Sequence, residues 1–344
     1  MTSIEWTDET WNPTVGCSRV SAGCENCYAE RVAHRGMSEQ HRGLTVLGKH
    51  GPRWNGTVRF LPDRLGEPRR WRKPRRVFVN SMSDLFHEKV ADAQIAAVFG
   101  VMAACPEHTF QVLTKRPKRA RKWFETIDSE SHWDCLKACE EQAAWLLHTD
   151  LALGAEWPLP NVWLGVSVED QATADERIPW LLDCPAAVRF VSYEPALGWV
   201  DFGAFLDGDW LDVPREERAP GLDWIIVGGE SGPGARPFDV AWARSTIAQC
   251  KVAGVPCFVK QLGANVRTRN DDNFTIDEDP PDEEFPPWPM RLVADDRIED
   301  NPNGLREEYQ GAPVRVRLQD RKGGDMAEWR ADLRVREFPE ARHA

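Results

Sequence analysis

Seven short, mostly apolar runs recur along the first three quarters of the chain, at residues 14–16, 77–80, 110–114, 162–168, 188–193, 224–227 and 257–260. This recurrence limits the fold more than any other feature. Runs of that length, rich in β-branched and aromatic residues, predict strands, and their near-continuous apolarity predicts strands covered on both faces. Between them lie helix-period segments at 27–35, 90–104, 118–125, 172–182 and 240–253. Strands that take turns with helices form parallel sheets through right-handed crossovers. The expected fold class is therefore α/β, a full or partial (β/α) barrel in preference to an open doubly wound sheet.

The alternation spans residues 1–263 and defines a barrel-like domain with a cysteine loop near its N-terminal end. A helical pattern at 128–158, with Trp133, Cys135, Cys139, Trp145 and Leu146, interrupts it and predicts an inserted helix. Residues 264–344 change to a Pro-rich, acidic composition and read as a C-terminal extension with a candidate hairpin at 290–293 and 314–318. No internal repeat is visible.

The formal net charge is −12, but residues 271–300 hold twelve acids against Arg291 and Arg297 and so carry −10 of it. The remainder is close to neutral, and residues 64–76 set seven bases against Glu67. A local basic surface is compatible with the acidic total. No apolar run approaches the ~18 residues of a membrane span, and residues 1–9 are polar and acidic where a signal peptide would be basic and then apolar. A cytoplasmic protein without membrane partners is expected. Nine cysteines, an odd number at irregular spacing, do not read as a disulfide framework, so reduced thiols are expected.

Three of those thiols are concentrated in Gly16-Cys17-Ser-Arg-Val-Ser-Ala-Gly-Cys24-Glu-Asn-Cys27, a C-x6-C-x2-C spacing. The Gly, Ser and Asn residues between them permit the tight loop that three convergent sulfurs need. Thiolates are soft ligands suited to iron–sulfur clusters or zinc. A structural zinc site closes with four ligands, whereas a catalytic metal keeps a position open, and three cysteines suit the second pattern. His34, seven residues downstream, could complete a zinc site, so both metals stay open. Cys105, Cys135, Cys139, Cys184, Cys250 and Cys257 read as small buried residues, although Cys135 and Cys139 share one helical face.

In β/α barrels the active site sits at the carboxyl ends of the strands. Six of the predicted strands deliver polar groups there, at 80–84, 114–116, 167–170, 193–195, 228–231 and 260–261. Helix caps and solvated loop charges are the ordinary alternative for any one of these residues.

A cysteine-rich loop after the first strand of a β/α barrel resembles the radical S-adenosylmethionine enzymes. Their three cysteines hold three irons of a [4Fe–4S] cluster while the fourth iron chelates S-adenosylmethionine. More specifically, Trp11-Asn12-Pro13 with Gly16-Cys17, Cys24-x-x-Cys27-Tyr28-Ala29, Gly229-Glu230-Ser231-Gly232 and the closing Asp332-Leu333-Arg334-Val335-Arg336-Glu337-Phe338-Pro339 are similar to the phage Gp37/Gp68 family. The resemblance implies a radical S-adenosylmethionine-like core, a [4Fe–4S] cluster on Cys17, Cys24 and Cys27, and S-adenosylmethionine as cofactor. It also implies an electron donor as partner, and the bacterial host cytoplasm as location if the chain is phage-encoded. Two departures stand out: the first gap is six residues where the commonest spacing has three, and Asn26 occupies the usual aromatic position. Under this resemblance Glu169, Glu194 or Glu230 would accept from the cofactor's amine or ribose, Lys115 or Arg116 would pair its carboxylate, and Ser81 and Ser167 would bind hydroxyls. Gly228-Gly229 and Gly232-x-Gly234 are candidate phosphate turns.

Cations and aromatics interleave at residues 64–76 with Trp71 and at 115–122 with Trp123, the manner of nucleic-acid surfaces. A nucleic acid or nucleotide substrate is therefore expected for a radical enzyme. The alternative is a non-catalytic phage factor that binds nucleic acid or protein and in which zinc or a cluster stabilises the loop.

Overall fold

The protein's structure is a computed structural model that describes residues 4–36, 38–49, 51–127, 132–148, 156–206, 221–268, 314–316 and 318–339. One sheet dominates it, with seven parallel strands in sequential order: β1 (Glu9–Trp11), β2 (Arg76–Val79), β3 (Thr109–Thr114), β4 (Val162–Val168), β5 (Val188–Tyr193), β6 (Trp224–Gly228) and β7 (Cys257–Gln261). Each strand pairs with the next, and no pairing of β7 with β1 closes the ring among the described residues. The architecture is a partial β/α barrel.

The first strand differs from expectation. Thr14–Val15 does form a strand, but it pairs antiparallel with Arg59–Phe60 outside the main sheet, and Glu9–Trp11 takes the barrel position. Pro13 separates the two, since it has no N–H to give a continuous ladder. Glu9-Thr10-Trp11 is too short and polar to read as an apolar run.

Helices α1 (Tyr28–His34), α2 (Asp92–Ala103), α3 (Pro117–Ile127), α4 (His132–Leu147), α5 (Gln171–Leu182) and α6 (Val240–Ala253) lie in the crossovers. The helix at 132–147 packs on α2 through Gly100, where a Cβ would come within 2.2 Å of the Cys139 carbonyl oxygen. Cys139 is buried there, whereas the Cys135 side chain lies outside the described residues. None of the described helices is long and apolar enough to cross a membrane.

Both faces of the sheet are buried, and the period-two alternation of each strand sorts its side chains. Val77, Val79, Val112, Leu164, Val191 and Val227 join the helix-facing core. Phe78, Trp163, Phe190, Trp224 and Phe258 point to the other face and meet Trp6 in a separate aromatic cluster. Gly165 makes room for it, because a Cβ there would lie 2.5 Å from the Phe190 ring. Two residues beyond Phe78, Phe190 and Phe258, the same inner face carries Asn80, Ser192 and Lys260. An aromatic floor and a polar mouth thus follow from one alternation.

The chain's last described segment completes the floor. Val259 N–H donates to the Val335 carbonyl at 2.8 Å and Glu337 N–H to the Cys257 carbonyl at 2.9 Å, so the tail lines the free edge of β7. Phe338 then packs on Trp224 and Phe258, at ring separations of 5.3 and 5.2 Å, with the Arg76 guanidinium 4.2 Å above it. Val314–Val316 pairs antiparallel with Val266–Thr268. Residues 290–293 and the acidic stretch lie outside the described residues.

Candidate functional site

The cysteine loop lies in the β1–β2 crossover and is tied down at both ends. At its start Gly16 adopts φ +91°, and a Cβ there would meet the Thr57 carbonyl oxygen at 2.1 Å, so glycine is required. Arg116, buried after β3, donates to Asp84 (3.1 Å), Glu88 (3.1 Å), the Ser18 carbonyl (3.0 Å) and Ser18 Oγ (2.9 Å), and lies 3.8 Å from Cys17 Sγ. His87 Nδ1 accepts from the Lys89 N–H at 3.1 Å, which leaves the proton on Nε2 to donate to Ser18 Oγ at 2.9 Å.

The middle of the loop rests on Glu169. This carboxylate accepts from Ser21 Oγ (2.9 Å), from Arg177 Nη1 (3.0 Å) and from Lys115 Nζ. Burial by itself would raise the Glu169 carboxyl, but the Lys115 and Arg177 cations outweigh it and hold the carboxyl below the usual carboxylate range. Gly23 passes so close that a Cβ would stand 2.3 Å from Glu169 Oε1. Further along, Glu230 accepts from Asn26 Nδ2 (2.8 Å) and from Arg236 Nη2 (2.7 Å), while Arg236 Nη1 also donates to the Ala22 carbonyl (2.9 Å). Against the rise that burial would cause, the hydrogen bonds from Arg236 and Asn26 keep the Glu230 carboxyl low. Glu30, buried one turn after Cys27, accepts from Arg19 Nε (3.0 Å) and the Trp54 N–H (2.8 Å).

The loop overhangs a cavity of about 280 Å³ at the carboxyl ends of the strands, just below the roughly 300–1,000 Å³ usual for ligand sites. Cys17, Cys24 and Cys27 line it together with Ser81, Lys115, Ser167, Glu194 and Glu230, five of the six binding residues expected from sequence. Glu169 stands behind the wall as a support for the loop. Trp6, Phe78 and Leu113 form the apolar base. All three cysteines are free thiols. Burial, followed by the Asp84 carboxylate, pushes the Cys17 thiol up to about 12 despite Arg116, and burial likewise raises Cys27. Both are therefore protonated at neutral pH. Among the described residues no three His, Cys, Asp or Glu side chains stand together at metal-ligating separation, so the sulfurs share a cavity without being drawn onto one centre. The donor set nonetheless suits a soft metal: three thiols of one Gly-containing loop, with a guanidinium beside one sulfur.

Several expected roles change in three dimensions. Lys115 and Arg116 are engaged by Glu169, Asp84 and Glu88, so neither is a free cation for a ligand carboxylate. Gly228 and Gly229 serve close packing, since their Cβ positions would fall 2.6 Å from Glu194 Oε1 and 2.2 Å from the Leu262 carbonyl oxygen. Trp123 is fully buried and cannot stack on a base; its indole N–H donates to the Asp92 carbonyl. In the basic stretch Arg64, Arg75 and Arg76 pair with Glu67, Glu9 and Asp8. Arg69, Arg70, Arg72 and Lys73 remain exposed, but they precede β2 and so lie at the end of the sheet remote from the cavity. Sequence reasoning missed Arg177 and Arg236. Arg177 carried a signal, a charge on the buried face Ala174-Ile178-Leu181 of a helix, whereas Arg236 in a Pro-rich connection carried none.

Fold and cavity define a class: a partial β/α barrel with a three-cysteine loop over the polar carboxyl ends of its strands. The model of a family described as Protein of unknown function (DUF5131) matches residues 1–326. The chain belongs to that family. No curated protein and no solved structure matches the chain.

Proposed function

We propose that the protein is a radical S-adenosylmethionine-type enzyme. One observation carries the reading: three free cysteines of a single loop line the same cavity as the polar strand ends of a partial β/α barrel. The resemblance of the cysteine motif to radical S-adenosylmethionine enzymes supports it, as does that of motifs spread over nearly the whole chain to the phage Gp37/Gp68 family. Free thiols suit a reducing cytoplasm.

Cys17, Cys24 and Cys27 would hold a [4Fe–4S] cluster, which with an electron donor supplies one-electron cleavage of S-adenosylmethionine to a 5′-deoxyadenosyl radical. The chain's own groups prepare that site. Arg116 beside Cys17 Sγ offsets thiolate charge in a buried setting. Glu169, Glu230 and Arg116 fix the loop from three strand ends and would hold it in place around a cluster. Ser81, Ser167 and Glu194 present hydroxyls and a carboxylate to the cavity. The aromatic base keeps water from entering through the barrel.

Metal analysis of protein purified and reconstituted without oxygen tests the loading. The reading predicts brown protein with about four irons per chain. Loading would release the proton of each of the three coordinating thiols, and Cys17→Ala loses the cluster while keeping its fold. Colourless protein with about one zinc would contradict it and favour the non-catalytic binding factor.

A further inference from the structure

Arg116 is a buried cation set against a cysteine sulfur. It is 7% exposed, and its Nη1 donates to Cys17 Sγ at 3.8 Å. Among the described residues no other side chain donates to a sulfur of the cysteine loop. Nη2 spends its two hydrogens on the Ser18 carbonyl (3.0 Å) and Ser18 Oγ (2.9 Å), Nε donates to Glu88 (3.1 Å), and the second hydrogen of Nη1 goes to Asp84 Oδ2 (3.1 Å). All five donors of the guanidinium are thereby committed, one of them to the sulfur. The two bonds to Ser18 suffice to hold the loop, so the contact with Cys17 is left for another task. Asp84, 5% exposed, is itself fixed, since Oδ1 accepts from the Phe86 N–H (3.0 Å) and the Thr114 hydroxyl (2.8 Å) and Oδ2 from the Lys115 N–H (3.0 Å). One Nη1 therefore bridges a buried carboxylate and a cysteine sulfur.

Charges a few ångströms apart are weakly screened in such a setting, whereas Glu88, with its side chain 66% exposed, is screened by solvent. Reduction of an iron–sulfur cluster adds one negative charge shared with its sulfurs, and its potential depends on nearby charge and on hydrogen bonds to those sulfurs. We infer that Arg116 and Asp84 form an opposed pair that sets the reduction potential of a [4Fe–4S] cluster held by Cys17, Cys24 and Cys27. The guanidinium favours the reduced form through Cys17 Sγ, and the carboxylate behind it disfavours that form. The electron comes from an external one-electron donor and no proton moves, because Arg116 is a cation in both forms. The inference rests on the proposed cluster but not on the cleavage of S-adenosylmethionine.

Potentiometric titration with dithionite of anaerobically reconstituted full-length protein, followed by the paramagnetic signal of the reduced cluster, tests it. Arg116→Gln is expected to make reduction at least about tenfold less favourable, a potential lower by about 59 mV or more. Asp84→Asn is expected to shift the potential upward, and Arg116→Lys, which keeps the charge, to shift it less than Arg116→Gln does. Since Arg116→Gln leaves Asp84 buried and unpaired, the double variant Arg116→Gln/Asp84→Asn guards against a failure to fold. It differs from Asp84→Asn only in the guanidinium, and its potential is expected to be the lower of the two. Circular dichroism and iron content confirm that the variants compared are folded and loaded. Shifts of the same sign in Arg116→Gln and Asp84→Asn, or equal potentials in Asp84→Asn and the double variant, would overturn the inference. Loss of the cluster from every folded variant would assign the pair to holding the loop and overturn it as well. Wild-type protein that takes up no cluster would defeat the proposed function and this inference together. The expected shifts in protein that leaves S-adenosylmethionine intact would uphold the inference and defeat the radical reading alone.

Discussion

Glu169 shows how a residue singled out for a ligand can instead serve the site from behind. A carboxylate ending a buried strand invites a cofactor role, yet its oxygens are taken by Lys115, Arg177 and Ser21. No local pattern announced this, because its partners lie on three other segments. Removing one member of a buried ion pair leaves an uncompensated charge, so Glu169→Gln should destabilise the fold by about 3–5 kcal/mol in urea unfolding. The pH dependence has a definite sign. A carboxyl held below its ordinary value of 4.5 adds stability that is present above that pH and is lost as pH falls through the folded value. The urea midpoint of the wild-type protein should therefore drop on acidification below about pH 4.5, and less steeply in Glu169→Gln. Parallel pH profiles of the two proteins would show that Glu169 carries no such coupling.

Among the elements, the long apolar strands were legible and the short polar ones were not. Runs at β3 to β7 are apolar because both faces are covered, which is itself a sequence signal. β1 has only Glu9, Thr10 and Trp11, and its place depends on pairing with β2 across the whole cysteine crossover. The tail was equally hidden. Residues 332–339 read as part of an extension, yet Phe338 seals the base of the barrel against Trp224 and Phe258. Phe338→Ala should lower stability by about 2 kcal/mol, and Phe338→Leu should restore most of it. Thermal unfolding of both variants checks this; an unchanged melting temperature in Phe338→Ala would mean the tail adds nothing to the core. Gly100→Ala is the corresponding test at the α2–α4 contact. A Cβ 2.2 Å from backbone must push the helices apart, with an expected loss of about 1–3 kcal/mol.

The molecule as a whole joins a rigid, aromatic-filled base to a polar mouth overhung by one cross-tied loop. The three cysteines and most of the mouth were legible because strand alternation and motif spacing are local properties. The ties at Arg116, Glu169 and Glu230 were not, since each spans a long stretch of sequence. The exposed bases at 69–73 lie at the end of the sheet remote from the cavity. Under the proposed function the loop and mouth together perform radical chemistry on S-adenosylmethionine. Incubating anaerobically reconstituted, dithionite-reduced protein with S-adenosylmethionine and following 5′-deoxyadenosine by chromatography tests it most directly. Formation of 5′-deoxyadenosine by the wild-type protein and its loss in Cys17→Ala, Cys24→Ala and Cys27→Ala is the predicted result. Intact S-adenosylmethionine in the presence of a fully loaded, reduced cluster would contradict the account.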